Sequence, residues 1–222
     1  MAPLTALRKL ASPFRARLKP SFLIIGAQKS GTTALHGMLK LHPALIAPDK
    51  KELHFFDVDD RYAKGLESYL EHFPFKAAFS KKFVAFESTP AYLYEAHKTA
   101  SRIHGHLPNV VCIAILRDPV KRAYSAWNMN HHFKGHPQHE WMYAPRSFAQ
   151  AIEDELAGRT TMKQHTYLAC SNYAAQLAYF KELFPARQLW LYSYKELKNN
   201  PDKLVGNIVQ RLGLPPMPVG TS

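Results

Sequence analysis

The stretch from Gly26 to Thr33, Gly-Ala-Gln-Lys-Ser-Gly-Thr-Thr, sets one lysine between two glycines, with two threonines behind the second. These residue types in this order hold anions. Gly26 lets the chain turn sharply out of an apolar strand, and Gly31 lets backbone approach a ligand closely. A helix opening at Thr32 offers free N–H groups and the positive end of its dipole. The Thr32 and Thr33 hydroxyls add donors. In nucleoside-triphosphate loops the lysine follows the last glycine; here that position is Thr32, and Lys29 is mid-loop. The arrangement argues against a triphosphate and for a different anhydride, with Gln28, Lys29, Ser30, Gly31, Thr32 and Thr33 as its ligands.

A second constellation lies far downstream in Leu-Arg-Asp-Pro-Val-Lys-Arg-Ala-Tyr-Ser-Ala-Trp, residues 116–127. Arg117 closes an apolar run, at the strand end where open α/β sheets bind ligands. Its planar fork clamps a phosphate through two parallel hydrogen bonds. A helix from Pro119 carries Ser125 about two turns in, where its hydroxyl completes the site. Lys121 and Arg122 add positive field, and Arg122 reads equally well as structural. Two anion sites suit a nucleotide phosphorylated at both ends of its ribose. A nucleoside triphosphatase needs one such site and a magnesium-binding acid, for which Asp118 is a weak candidate.

The elements that must position these residues follow from periodicity. Residues 22–26 predict a strand and 32–42 a helix, with Leu35, Met38, Leu39 and Leu41 towards one side. A short extended piece follows at 44–48, then a helical stretch over 62–80 interrupted by Pro74. Strands are expected at 82–90, 109–116 and 187–194. Helices are expected at 95–106, from 119, at 146–158, at 171–185 with Ser171 as N-cap, and from 200 onward. Strands alternating with helices indicate a three-layer α/β fold with a central, mainly parallel sheet flanked by helices. A basic tail, residues 1–20, precedes one domain, 21–222.

The chain of 222 residues carries 29 Lys+Arg against 17 Asp+Glu, a formal charge of +12, and its first acid is Asp49. That excess favours an anionic partner: nucleotide, nucleic acid, acidic glycan or membrane surface. Two distant cysteines make no metal or redox motif, and with no secretory core a cytoplasmic, reducing location is expected. No apolar run approaches the roughly 20 residues that span a bilayer, although the basic N-terminus suits peripheral membrane contact. His131, His132, His136 and His139 lack a fixed pair with a third ligand, so no metal is expected; they read as an acceptor-contacting loop. Trp127, Trp141 and Tyr143 either stack on a sugar or aromatic acceptor or pack beneath that loop. His106, a rival catalytic base, reads as an ordinary surface histidine.

The 26–35 segment resembles the 5′-phosphosulfate loop of sulfotransferases that use 3′-phosphoadenosine 5′-phosphosulfate (PAPS). The 116–127 segment resembles the 3′-phosphate-binding segment of that family, at Arg117 and Ser125. Lys-Lys-Glu-Leu-His-Phe-Phe, residues 50–56, resembles the segment bearing the family's catalytic carboxylate, which falls on Glu52. The resemblance runs from about residue 20 to 216 and is nearer the carbohydrate-type and bacterial members. It implies a P-loop-like fold, PAPS as co-substrate without a required metal, and a hydroxyl or amine acceptor on a carbohydrate or lipid-linked glycan. It also implies Glu52 as general base with a pKa near the working pH, and Lys29 on the bridging oxygen. Two departures stand out. A family lysine is replaced by Ser88, and the chain stops at Ser222, short of a Lys/Gly loop that closes over the 3′-phosphate. A P-loop kinase or nucleoside triphosphatase, and a non-catalytic basic binding module, are the rival readings.

Overall fold

A computed structural model describes residues 16–76 and 83–217. Most of the basic tail, and part of the stretch expected to be helical over 62–80, lie outside them. Five strands form one sheet: β1 Pro20–Gly26, β2 Leu45–Ile46, β3 Val84–Ser88, β4 Val111–Leu116 and β5 Leu189–Ser193. Their order is β2-β3-β1-β4-β5, and every pairing is parallel. The helices are α1 Thr32–Lys40, α2 Asp59–Tyr62, α3 Leu66–Leu70, α4 Ala91–Tyr94, α5 Ala96–His106, α6 Pro119–His131, α7 Phe148–Leu156, α8 Tyr173–Leu183, α9 Tyr194–Asn199 and α10 Pro201–Arg211.

The central strand shows why there are three layers. Successive side chains of a strand point to opposite faces. Phe22 and Ile24 join Leu35 and Leu39 of α1 and Leu204, Val205 and Ile208 of α10 in one core. Leu23 and Ile25 join Leu93, Ala96, Ile103, Leu177 and Phe180, from α4, α5 and α8, in the other. A strand covered on both faces must be apolar throughout, and each fully buried Leu, Ile or Phe contributes about 1.5–3 kcal/mol.

Three local expectations give way. The stretch after residue 58 is two short helices parted at Gly65, whose φ of 81° stops the helix well before Pro74. Leu41 lies beyond the end of α1 and is 53% exposed, off the apolar face. Ser171 does not cap α8; its hydroxyl is drawn inward to the buried Arg122.

Chain connections leave β1 flanked by β3 and β4, so the segments after these three strands meet at one edge of the sheet. Open parallel sheets bind ligands in such a crevice, where strand order reverses.

Candidate active site

The loop between β1 and α1 is shaped by its protein neighbours. A Cβ on Gly26 would lie 2.5 Å from Leu93 Cβ. Gly31, with φ of 86°, has the Leu197 and Tyr194 side chains of α9 where its own Cβ would be, the nearest atom at 2.7 Å. Both glycines are therefore demanded by packing, and at Gly31 by backbone conformation too. Ala27 N–H donates to Ile115 C=O at 2.9 Å, tying the loop to β4. Helix α1 has no side-chain cap and no acid in its first turn, so its terminal N–H groups face outward with their positive dipole end uncompensated.

Lys29, Gln28, Gly31, Thr32, Thr33, Glu52, Arg117 and Ser125 all line one cavity of about 1120 Å³. Ser30 does not. Its side chain is fully buried beneath the loop, and its N–H turns back to Ala27 C=O at 3.1 Å. Arg117 Nη1 donates to the Lys29 carbonyl at 3.0 Å, and its guanidinium stacks 4.7 Å from the centre of the Tyr194 ring. Its Nε is buried without a partner among the described residues. Burial, and then the Arg117 charge, lower the Lys29 pKa. Lys29 Nζ lies 3.2 Å from Met129 Sδ, a weak acceptor that leaves the ammonium free for an anion. Ser88, which stands where the family carries a lysine, is buried; Lys163 brings a further cation to the cavity wall, paired with Glu95.

Glu52 faces the cavity from a segment of unusual shape, with positive φ at Glu52 (60°) and His54 (51°). Glu52 pairs with Lys51, and His54 Nε2 lies 3.5 Å from its other oxygen. His54 Nδ1 pairs with Asp57 at 2.7 Å. Burial raises the Glu52 pKa, but hydrogen bonds from His54 and Lys51 and their charges outweigh it, leaving about 2. Asp57 and then Glu52 raise His54 to about 9 against the effect of burial. The expected near-neutral Glu52 is thus corrected: two adjacent cations hold it ionised. His54 and Asp57 join the site beyond the sequence-predicted residues, and both stand in the Glu-Leu-His-Phe-Phe-Asp run.

The remaining candidates separate cleanly. Asp118 caps α6, accepting Lys121 N–H at 2.8 Å, and does not line the cavity. Arg122 is structural: it is 1% exposed, with Nε donating to Ser171 Oγ and Nη2 to Tyr167 C=O, both at 2.6 Å. Trp127 stacks on His131 at 4.9 Å and donates to Arg146 C=O, beneath the loop. Trp141, 58% exposed, lines the cavity with His139. Among the described residues no three His, Cys, Asp or Glu side chains are grouped to hold a metal. His106 pairs with the Tyr62 hydroxyl at 3.1 Å, away from the cavity.

The sulfotransferase domain family matches residues 19–219. The chain belongs to the sulfotransferase family. The chain is 32% identical over 206 residues to the human bifunctional heparan sulfate N-deacetylase/N-sulfotransferase 2, covering 89% of the chain and 22% of that protein. It is 39% identical over 106 residues to mouse heparan sulfate glucosamine 3-O-sulfotransferase 5, covering 48% and 29% respectively. The chain spans less than a third of the length of either relative. Among solved structures, a sulfotransferase from Alicyclobacillus acidocaldarius superposes with a TM-score of 0.75 at 25% identity, covering 92% of this chain and 85% of that chain.

Proposed function

We propose that this chain transfers the sulfuryl group of PAPS to a hydroxyl or amine of a carbohydrate acceptor, an acidic glycan of the heparan type. The observation that carries the proposal is that Lys29 and Arg117 line the same cavity, with Arg117 bonded to the backbone of Lys29 itself. A phosphosulfate at the α1 terminus and a 3′-phosphate at Arg117 are then the two ends of one bound nucleotide. The glycan acceptor is supported by the heparan sulfate enzymes among the relatives, by the formal charge of +12, and by the aromatic wall at Trp141.

The fit of the residues to the donor is chemical. The first-turn N–H groups of α1 and the Thr32 and Thr33 hydroxyls hold phosphosulfate oxygens. Arg117, with an unpaired buried Nε, and Ser125 hold the 3′-phosphate. Glu52 takes the acceptor proton as the acceptor atom bonds to sulfur. The bond from sulfur to the bridging oxygen breaks, and its electron pair stays on the 5′-phosphate, where Lys29 offsets the charge. Adenosine 3′,5′-bisphosphate and the sulfated acceptor leave. At neutral pH Glu52 is already ionised, and the His54 and Lys51 cations that keep it so also aim it. Glu52→Gln is expected to abolish transfer to a desulfated heparin-type oligosaccharide while leaving adenosine 3′,5′-bisphosphate affinity within about twofold. Transfer that survives in Glu52→Gln would place the base elsewhere.

A further inference from the structure

The segment bearing Glu52 is held in place by side chains that never reach the cavity. Leu53 N–H donates to Glu87 Oε1 at 3.4 Å, His54 N–H to Thr89 Oγ1 at 3.4 Å, and Phe55 N–H to the Tyr92 hydroxyl at 3.2 Å. Thr89 Oγ1 in turn donates to Glu87 Oε1. Three consecutive N–H groups are thus received by one short stretch, Glu-Ser-Thr-Pro-Ala-Tyr, residues 87–92. All three receiving side chains are fully buried, and none lines the cavity. The left-handed backbone at Glu52 and His54 is disfavoured for residues with a Cβ and persists only where surroundings impose it. Glu87 belongs to β3 and is in register with Leu23 of β1, so the clamp refers the segment to the centre of the sheet.

We propose that Glu87, Thr89 and Tyr92 are positioning residues that fix Glu52 at the angle needed to take the acceptor proton. The proposal rests on Glu52 being the base, as argued above. It goes further in naming residues that touch neither donor nor acceptor and govern turnover through backbone hydrogen bonds alone. Burial supports it: desolvation pushes the Glu87 pKa up to about 7, opposed by hydrogen bonds from Thr89, Tyr92 and Leu53 N–H and by the His54 charge. The titratable groups around Glu87 are His54, Tyr69 and Tyr92, with Asp57 acting on Tyr92. Glu87 Oε2 and the Tyr69 hydroxyl are each buried without a hydrogen-bond partner among the described residues. The ionised form is the stronger acceptor for Leu53 N–H, so the clamp tightens as Glu87 loses its proton.

Neutral substitutions test the clamp without changing charge. In the full chain, Thr89→Val and Tyr92→Phe each remove one receiver. The expected result is a kcat at least tenfold lower on the desulfated heparin-type oligosaccharide, with KM for PAPS within twofold. Thr89→Ser, which keeps the hydroxyl, retains the original rate. A second readout needs no acceptor. In an NMR titration, the His54 pKa falls from about 9 towards the ordinary imidazole value in Thr89→Val and Tyr92→Phe, because Glu52 and Asp57 no longer sit against it. If both variants keep the original His54 titration, or if Thr89→Ser falls as far as Thr89→Val, the proposal is wrong. Glu52→Gln separates the two claims: turnover retained there overturns the base assignment, whereas the His54 titration reports on the clamp alone.

Discussion

At the scale of single residues, the site is governed by where charge is compensated. Glu52 and His54 move in opposite directions: His54 and Lys51 hold Glu52 down at about 2, while Asp57 and then Glu52 lift His54 to about 9. The pH dependence follows from those directions. The folded His54 pKa lies above its ordinary value, so the stability it contributes is complete below about 6.5 and fades as pH rises to about 9. The folded Glu52 pKa lies below its ordinary value, so its contribution is complete above about 4.5 and fades as pH falls towards 2. His54→Gln is therefore expected to lower stability most near pH 6 and hardly at all near pH 9.5. Urea unfolding at the two pH values measures this; a gap that is constant or widens with pH would contradict the coupling. The carboxylate was legible in the sequence only as a residue type in a matched segment. Its pKa was not, because the sequence does not say that Lys51 and His54 turn inward onto it.

At the scale of elements, the loop after β1 shows how much of a motif is visible in advance. The apolar strand, the glycines and the helical spacing after Thr32 were all readable, since each is a local signal. The reason for Gly31 was not, because its constraint comes from α9, whose Tyr194 and Leu197 occupy the space of a Cβ. Gly31→Ala combines that clash with a left-handed backbone, which alone costs about 1–2 kcal/mol. The expected outcome is a loss of at least about 2 kcal/mol in chemical unfolding, with weakened nucleotide binding as the loop shifts. A variant as stable as the original would mean that α9 yields easily. Ser171 teaches the same point: its type and place suit an N-cap, but a buried guanidinium needing an acceptor outweighs a local capping bond. The break at Gly65 was not readable, because Pro74 is the stronger formal breaker while a positive φ acts earlier in the chain.

At the scale of the whole molecule, function depends on strand order. With β1 between β3 and β4, the Lys29 loop, the Glu87 segment beneath Glu52, and the Arg117 turn converge at one edge although they are far apart in sequence. The alternation of strands and helices made the layered sheet readable. The two anion motifs made Lys29, Thr32, Thr33, Arg117 and Ser125 readable as cavity residues. That Ser30 turns inward, and that Trp141 rather than Trp127 faces the cavity, depended on packing between segments. The central claim is that one nucleotide is gripped at both ends, and calorimetric binding of adenosine 3′,5′-bisphosphate to the unsubstituted chain and to Arg117→Ala tests it most directly. One bisphosphate should bind per chain. Loss of the Arg117 charge-assisted bonds should weaken it by about 2 kcal/mol, roughly 30-fold, while adenosine 5′-phosphosulfate, which lacks the 3′-phosphate, changes by less than about threefold. Equal losses for the two nucleotides, or binding of the bisphosphate no tighter than that of adenosine 5′-monophosphate, would contradict it.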